Sequence, residues 1–154
     1  MIEEVTRETI DQAAEIHAES WQASHRAFCS REFVEAHTPM RQKAYLLEKM
    51  ERGSRIFLLT EGEPVGLVSV TENRIEDLYV LPRLQNRGYG SRLLRFAMAR
   101  CSGIPVLWIL ENNEGARRLY KRFGFQATGR SNRLSETLSE LEFAASGEVR
   151  RGVT

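Results

Sequence analysis

The stretch Gln85-Asn86-Arg87-Gly88-Tyr89-Gly90 lies between an apolar run at residues 75–81 and an amphipathic run at residues 91–101. The first run is typical of a strand, and the second has the spacing of a helix. The first turn of a helix carries backbone N–H groups without partners, and the helix dipole adds positive potential there. Because neither glycine has a Cβ, a phosphate group can approach these donors closely. The pattern predicts a pyrophosphate-binding loop with Arg87 as a mobile cation beside it.

Two other phosphate-binding patterns do not match this loop. A P-loop needs the spacing G-x-x-x-x-G-K-[ST], which does not occur in the chain. The dinucleotide fingerprint needs a third glycine three residues after Gly90, where the chain has Leu93. A tight turn with a purely structural role would carry the same two glycines, so the loop has to be weighed with the rest of the chain.

The composition is that of one domain with balanced charge. The chain has 154 residues, a net charge of +1 and no apolar run approaching the length of a membrane span. We therefore expect one domain over residues 1–145, a flexible tail over residues 146–154, and a soluble, cytoplasmic protein without membrane contact. The absence of a basic stripe interleaved with aromatic residues argues against a nucleic-acid partner. The two cysteines and three histidines have no metal-ligand spacing, so no metal site is predicted.

Hydrophobic periodicity predicts a chain of seven strands and about four helices. Strands are expected at residues 2–5, 56–60, 65–70, 75–81, 106–110, 125–129 and 138–143. Helices are expected from residue 10, from Thr38-Pro39 to about residue 52, over residues 88–101, and from Asn113 onward. Residues 21–38 are less regular and fit the end of the first helix, a loop and a short second helix. The strand, helix and strand around the glycine loop imply a parallel pair with a right-handed crossover.

Three features that follow one another along the chain identify a family. They are Asp77-Leu78-Tyr79-Val80 followed by the Q-x-x-G-x-G loop, an apolar strand at residues 106–110, and the segment Asn113, Ala116, Leu119-Tyr120, Phe123-Gly124-Phe125. The ordered set resembles the GCN5-related N-acetyltransferase (GNAT) superfamily, in particular its small bacterial members. The resemblance covers roughly residues 55–145.

The resemblance implies the GNAT fold, an α/β (α+β) architecture in which a mixed seven-stranded sheet splays open between its fourth and fifth strands. Acetyl-CoA, the co-substrate, would lie in that gap. Backbone groups of Tyr79 and Val80 would bond the pantetheine arm and the thioester carbonyl, and Asn113 would bond the pantetheine from the other side. Backbone N–H groups of residues 87–91 would hold the pyrophosphate. The implied cofactor-binding residues are Tyr79, Val80, Gln85, Arg87, Gly88, Tyr89, Gly90, Ser91 and Asn113.

Acetyl transfer to an amine requires a neutral nitrogen, a donor for the oxyanion and a proton for the leaving thiolate. A free alkylamine with a pKa of about 10 is mostly protonated at neutral pH, so a base or a water relay must remove its proton. Tyr120 matches the family's general acid, and the N–H of Val80 is the implied oxyanion donor. Glu76 is similar in position to an acidic residue of small-amine acetyltransferases and is the first candidate for the base. The alternatives are Asp77, which strand alternation should place on the opposite side, and a water relay.

By the same resemblance, the acceptor pocket is expected between residues 21–38, residues 73–77 and residues 131–135. His25 falls in the first of these segments, where it could touch the acceptor or could be an exposed loop histidine. His17 lies on the apolar face of the first helix and is interpreted as a packed histidine with one satisfied hydrogen bond.

These observations favour an N-acetyltransferase that transfers the acetyl group of acetyl-CoA directly to a primary amine on a small molecule. No covalent acyl-enzyme is expected, because neither cysteine lies in the motifs. One alternative acceptor is a protein or peptide N-terminus, and a hypothesis of another class is a non-catalytic module that senses acyl-CoA. The sequence does not decide between a monomer and a homodimer.

Overall fold

The computed structural model describes residues 1–145. The tail predicted at residues 146–154 lies outside the described residues. The strands are β1 (Ile2–Glu4), β2 (Arg55–Glu61), β3 (Glu63–Thr71), β4 (Arg74–Val80), β5 (Val106–Leu110), β6 (Phe125–Arg133) and β7 (Ser139–Ala145). The helices are α1 (Ile10–His25), α2 (Arg31–Glu35), α3 (Pro39–Glu51), α4 (Tyr89–Met98) and α5 (Glu114–Arg122), with a 3₁₀ turn at Pro82–Leu84.

The seven strands form one mixed sheet in the order β1-β2-β3-β4-β5-β7-β6. Strands β1 to β4 form an antiparallel meander, and β5, β7 and β6 form a second antiparallel group. Helix α4 connects β4 to β5, which run parallel. The seven-stranded mixed sheet predicted from the sequence is confirmed.

The sheet opens where its two groups of strands meet. Strands β4 and β5 are joined by a single pair of residues, Arg74 and Val106. Beyond that pair the strands diverge, and the later residues of both strands line a cleft. The predicted splay between the fourth and fifth strands is therefore present.

The core lies on both faces of the first group of strands. Strand β3 has six consecutive buried residues, which requires cover on both faces because alternate side chains point in opposite directions. Helix α1 packs against β3 and β4 with its buried residues at helical spacing, and α4 packs against the same two strands through Leu93, Leu94 and Ala97. None of the helices within residues 1–145 is long and apolar enough to cross a membrane.

Strand β4 carries a β-bulge in the middle of its pairing with β3. Ser69 pairs with Glu76 and Leu67 pairs with Tyr79, so Asp77 and Leu78 together stand opposite Val68. Asp77 has a φ of 54°, in the left-handed region that residues other than glycine seldom adopt. The extra residue interrupts the ladder just before the strand reaches the cleft.

Gly66 lies where β3 and β4 come closest, opposite Val80. A Cβ built there would lie 2.6 Å from the backbone oxygen of Tyr79 and 3.0 Å from Cδ1 of Leu93. We therefore expect Gly66→Ala to lower the free energy of unfolding by about 1–3 kcal/mol, because backbone atoms must move. Urea denaturation measures the change. Gly103→Ala is the matched control, since no atom lies within 4 Å of its Cβ. Equal stability of the two variants would contradict this interpretation.

Candidate functional site

The opening between β4 and β5 forms a cleft with a volume of about 1260 Å³. Its walls come from β4, β5, the glycine loop, α5, the end of α1 and the β6–β7 hairpin. Ten of the twelve predicted site residues line it: Glu76, Asp77, Tyr79, Val80, Gln85, Gly88, Gly90, Ser91, Asn113 and Tyr120. The sheet topology thus brings together residues that are up to 44 positions apart in the chain, from Glu76 to Tyr120.

The glycine loop places the beginning of α4 at one wall of the cleft. Gly88 is the N-terminal cap of α4 and has a φ of 87°, a conformation that suits glycine. Asn86 adopts a φ of 65° two residues earlier, so the chain turns sharply into the helix. The cap contributes no side-chain hydrogen bond, and the first backbone N–H groups of α4 therefore have no partner from the cap.

Not every residue of the loop reaches the cleft. Arg87 and Tyr89 are not among the lining residues. The side chain of Gln85 turns back and donates from Nε2 to the carbonyl oxygen of Val80 at 3.2 Å, so it fixes the loop against the end of β4. Among the predicted cofactor-binding residues, Arg87 and Tyr89 thus flank the cleft, and their roles stay predictions.

Asn113 lies across the cleft at the start of α5. Its Oδ1 accepts a hydrogen bond from the backbone N–H of Ala116 at 3.0 Å, which caps the helix. Its backbone N–H donates to the carbonyl oxygen of Leu110, and its carbonyl oxygen accepts from the N–H of Arg117. The Nδ2 amide group is therefore the part of Asn113 left for the predicted pantetheine contact.

Tyr120 lies on the buried face of α5 and lines the cleft. Its side chain packs against Phe125 with 5.8 Å between ring centroids. Burial raises the pKa of Tyr120 above its ordinary value, so the phenol keeps its proton at neutral pH. No hydrogen-bond partner for its hydroxyl is present within residues 1–145. The group is a protonated donor beside the cleft.

The carboxylate of Asp77 is the centre of a buried network. His17 Nε2 lies 2.8 Å from Oδ1, and Lys49 Nζ lies 2.6 Å from Oδ2. Ser69 Oγ is 2.9 Å from Oδ2, and the Tyr45 hydroxyl is 3.1 Å from Oδ1. The side chain is only 8% exposed. Four donors thus converge on one carboxylate, which compensates the cost of burying its charge.

This network sets the ionisation of Asp77 and of its neighbours. Burial by itself would raise the pKa of Asp77, but the hydrogen bond from His17 and the charge of Lys49 outweigh it and hold the pKa well below its ordinary value. Burial and the adjacent Asp77 carboxylate raise the pKa of Tyr45. Asp77 is therefore a fixed anion, with little tendency to take a proton near neutral pH.

Glu76 shares Lys49 with Asp77. Its Oε1 lies 2.9 Å from Lys49 Nζ, and its Oε2 lies 3.4 Å from Arg74 Nε. The expectation that Glu76 and Asp77 point to opposite sides is wrong here, because the bulge breaks the alternation of the strand and both carboxylates reach the same lysine. Both also line the cleft.

The sequence interpretation missed the partners that α3 supplies. Gln42, Tyr45 and Lys49 lie on one face of that helix at a spacing of three and four residues. Gln42 Nε2 lies 2.8 Å from His17 Nδ1, so His17 has two ring partners where one was predicted. A polar helical face is usually exposed, and only its spacing could have indicated this contact.

Aromatic rings stack at the end of the cleft that α1 borders. The ring of Trp21 stacks with His25, with centroids 3.9 Å apart, and with His37, with centroids 3.5 Å apart. Phe28 contacts the His25 ring, and Phe33 contacts both the His37 and the Trp21 rings. His25 and Phe28 line the cleft, whereas His37 does not.

The residues present fit a CoA-type ligand. The cleft is long enough to pass from the start of α4 to Tyr120, and it exposes the diverging edges of β4 and β5. A Cβ at Gly88 would meet no atom within 4 Å, so the space over the loop is open to a phosphate.

Comparisons with known proteins agree with this geometry. The model of the family described as Acetyltransferase (GNAT) family matches residues 10–125. The peptidyl-lysine N-acetyltransferase YjaB of Salmonella typhimurium is 32% identical over 71 residues, which are 46% of this chain and 48% of that protein. The chain spans between 48% and 60% of the length of the curated relatives that it matches.

Solved structures share the fold. The PaiA N-acetyltransferase of Thermoplasma acidophilum, crystallised with coenzyme A, has a TM-score of 0.73 at 19% identity, covering 92% of this chain and 96% of its own. YncA of Salmonella typhimurium, solved with its cofactor acetyl-CoA, has a TM-score of 0.67 at 17% identity, covering 95% of this chain and 92% of its own.

Proposed function

Because this chain belongs to the Acetyltransferase (GNAT) family, we propose that it transfers the acetyl group of acetyl-CoA directly to a primary amine of a small molecule. The observation that carries the proposal is one cleft that holds both an uncapped helix N-terminus and Tyr120. The first can hold a pyrophosphate, and the second can protonate a leaving thiolate.

The ligand would lie along the diverging edges of the sheet. Its pyrophosphate would accept from the backbone N–H groups at residues 87–91, and its pantetheine arm would follow Tyr79 and Val80 toward Asn113. The backbone N–H of Val80 would then donate to the thioester oxygen as it becomes an oxyanion. Gln85 already bonds the carbonyl oxygen of Val80, which fixes the strand end in place.

The proposed reaction requires the hydroxyl group of Tyr120 beside the thioester sulfur. As the acceptor nitrogen bonds to the carbonyl carbon, the carbon–sulfur bond breaks and the thiolate takes the phenolic proton of Tyr120. The raised pKa of this tyrosine keeps the proton available at neutral pH, and its hydroxyl has no competing partner within residues 1–145.

The acceptor would approach past the acidic residues of the cleft. Glu76 and Glu140 are among the residues that line it, and negative charge there attracts an ammonium group. We assign Glu76 and Asp77 to this attraction and to the shape of the strand. The relative YjaB carries the name of a peptidyl-lysine N-acetyltransferase, and it makes a lysine side chain in a peptide the second candidate acceptor.

The test combines calorimetric titration with acetyl-CoA and a thiol-release assay. The acceptors are a polyamine, an aromatic amine, a peptide with a free N-terminus, and an N-terminally blocked peptide that contains lysine. We expect binding of acetyl-CoA together with thiol release for one class of amine. Release with the blocked peptide alone would move the assignment to protein lysine. Binding without release would favour an acyl-CoA sensor, and no binding would overturn the proposal.

A further inference from the structure

We propose that His25 is the general base, and that its Nε2 takes the proton from the acceptor nitrogen. The proposal rests on the proposed acetyltransferase function. It names the proton acceptor of that reaction, a role that the carboxylates of β4 do not fill. It is carried by the hydrogen bonds of one imidazole at the end of the cleft that α1 borders.

The hydrogen bonds of His25 decide which ring nitrogen carries the proton. Nδ1 lies 2.8 Å from the backbone carbonyl oxygen of Trp21, which can only accept. Ser24 Oγ lies 2.8 Å from the same nitrogen and can donate its own proton to that carbonyl at 3.0 Å. Nδ1 therefore carries the hydrogen, and the lone pair of the neutral ring is on Nε2. No partner for Nε2 is present in the described part of the chain.

Stacking holds this imidazole in one orientation. Its plane lies 10° from that of Trp21 at a centroid separation of 3.9 Å, and the ring of Phe28 contacts it at a tilt of 45° and a centroid separation of 5.3 Å. His37 stacks on the opposite face of Trp21 and fixes the indole in turn. A base that is held in position before the substrate arrives loses little entropy in the reaction.

The other candidate bases of the cleft, two carboxylates, already have hydrogen-bond or ion-pair partners. Asp77 accepts from four side chains and is held ionised by them. Glu76 has Lys49 at one oxygen and Arg74 at the other. To take a proton, either carboxylate would have to give up its cationic partner, whereas Nε2 of His25 gives up nothing.

The surroundings keep His25 neutral. Partial burial lowers its pKa, and the cationic forms of His37 and His17 lower it further, against the opposing effect of the Trp21 carbonyl. Arg26, the next residue in the chain, adds a positive charge. The charged residues that line the same cleft as His25 are Glu76, Asp77, Glu114, Arg118, Arg122 and Glu140. A neutral imidazole at pH 7 is the form that can accept a proton.

His25 and Tyr120 together account for every proton that moves in the reaction. The amine nitrogen forms a bond to the thioester carbon, and the new ammonium of the tetrahedral intermediate gives a proton to Nε2 of His25. The carbon–sulfur bond then breaks, and Tyr120 protonates the thiolate. The imidazolium proton passes through water to the Tyr120 phenolate, so both residues return to their starting forms. The products are the acetamide and CoA thiol.

The test compares His25→Asn with Asp11→Asn, a change at an exposed residue outside the cleft, in the thiol-release assay, using the best amine of the panel described above. Asparagine keeps a donor near the position of Nδ1 but has no Nε2. We expect kcat to fall about 10²-fold or more in His25→Asn, and the loss of activity that the wild type shows when the His25 imidazole gains a proton at acidic pH to disappear. Asp11→Asn, whose side chain does not line the cleft, should keep both properties. Free imidazole should restore part of the activity of His25→Ala.

Four results would overturn the assignment. A wild-type level of turnover in a folded His25→Asn protein would rule out His25 as the base and leave the proposed function intact. Absence of turnover in the wild type would overturn the proposed function as well. Flattening of the pH profile by Glu76→Gln, with His25→Asn unaffected, transfers the role to Glu76. Independently of activity, nitrogen-15 NMR of the wild type should show His25 protonated on Nδ1, and the opposite tautomer would contradict the geometry.

Discussion

Tyr120→Phe is expected to lower kcat by about 10²–10⁴-fold, which is the usual effect of removing a positioned acid. The thiolate of CoA would then leave without a proton donor. Because the ring of Tyr120 packs against Phe125 and its hydroxyl bonds no group within residues 1–145, removing the oxygen should leave the packing intact. Steady-state thiol release gives kcat, and calorimetry gives the Kd for acetyl-CoA, which should change less than about threefold.

The two measurements separate a chemical role from a structural one. An acid that acts only in the transition state lowers kcat and kcat/KM together without weakening ground-state binding. Parallel losses of turnover and of acetyl-CoA affinity would instead show that Tyr120 shapes the cleft. Unchanged turnover would remove it from the mechanism and assign the proton to water.

Asp77→Ala is expected to destabilise the protein by about 3–5 kcal/mol, the cost of breaking a buried ion pair by removing one partner. Lys49, whose side chain is 13% exposed, would keep Glu76 and the Ser69 hydroxyl but lose its buried anion, and His17 would lose the acceptor for its Nε2. Urea denaturation gives the change in the free energy of unfolding. The matched control is Asp11→Ala, which removes an exposed partner of Lys43 and should cost less than about 1 kcal/mol.

The pH dependence of stability provides a second check on Asp77. Since its folded-state pKa lies below the unfolded value of about 3.9, the carboxylate stabilises the fold fully above that value. The stabilisation is lost as the pH falls toward the folded-state pKa. Asp77→Asn, which tolerates the left-handed backbone, should remove this part of the acid dependence. An unchanged difference in stability between pH 6 and pH 3 would contradict the network described for Asp77.

Patterns of a few neighbouring residues were enough to predict where the main helices and strands lie. Thr38-Pro39 predicted a helix start, and Thr38 Oγ1 accepts from the backbone N–H of Arg41 at 3.2 Å with Pro39 in the first turn. The apolar run predicted strand β5 at residues 106–110, and the glycine loop predicted the start of α4 within one residue. Each of these depends on residues close together in the sequence.

The acidic network could not be predicted in the same way. The carboxylate of Asp77, at the bulge, is bonded by four donors that lie 8, 28, 32 and 60 positions away in the chain. They are Ser69, Lys49, Tyr45 and His17. The rule that side chains alternate along a strand takes no account of such distant contacts. It therefore placed Glu76 and Asp77 on opposite sides. The tautomer of His25 is likewise set by a backbone carbonyl, which only the folded helix brings to the ring.

The opening between β4 and β5 determines where two unpaired strand edges of the sheet lie. Unpaired edges can recruit other chains, and the run Val106–Leu110 has the apolar, β-prone composition that promotes such pairing. Here the two edges face each other inside a cleft bordered by the glycine loop and α5, while the other side of β5 is paired with β7. The backbone donors and acceptors that a ligand would use thus lie on the walls of a cleft, away from the outer strands β1 and β6, where another chain could add a strand more easily.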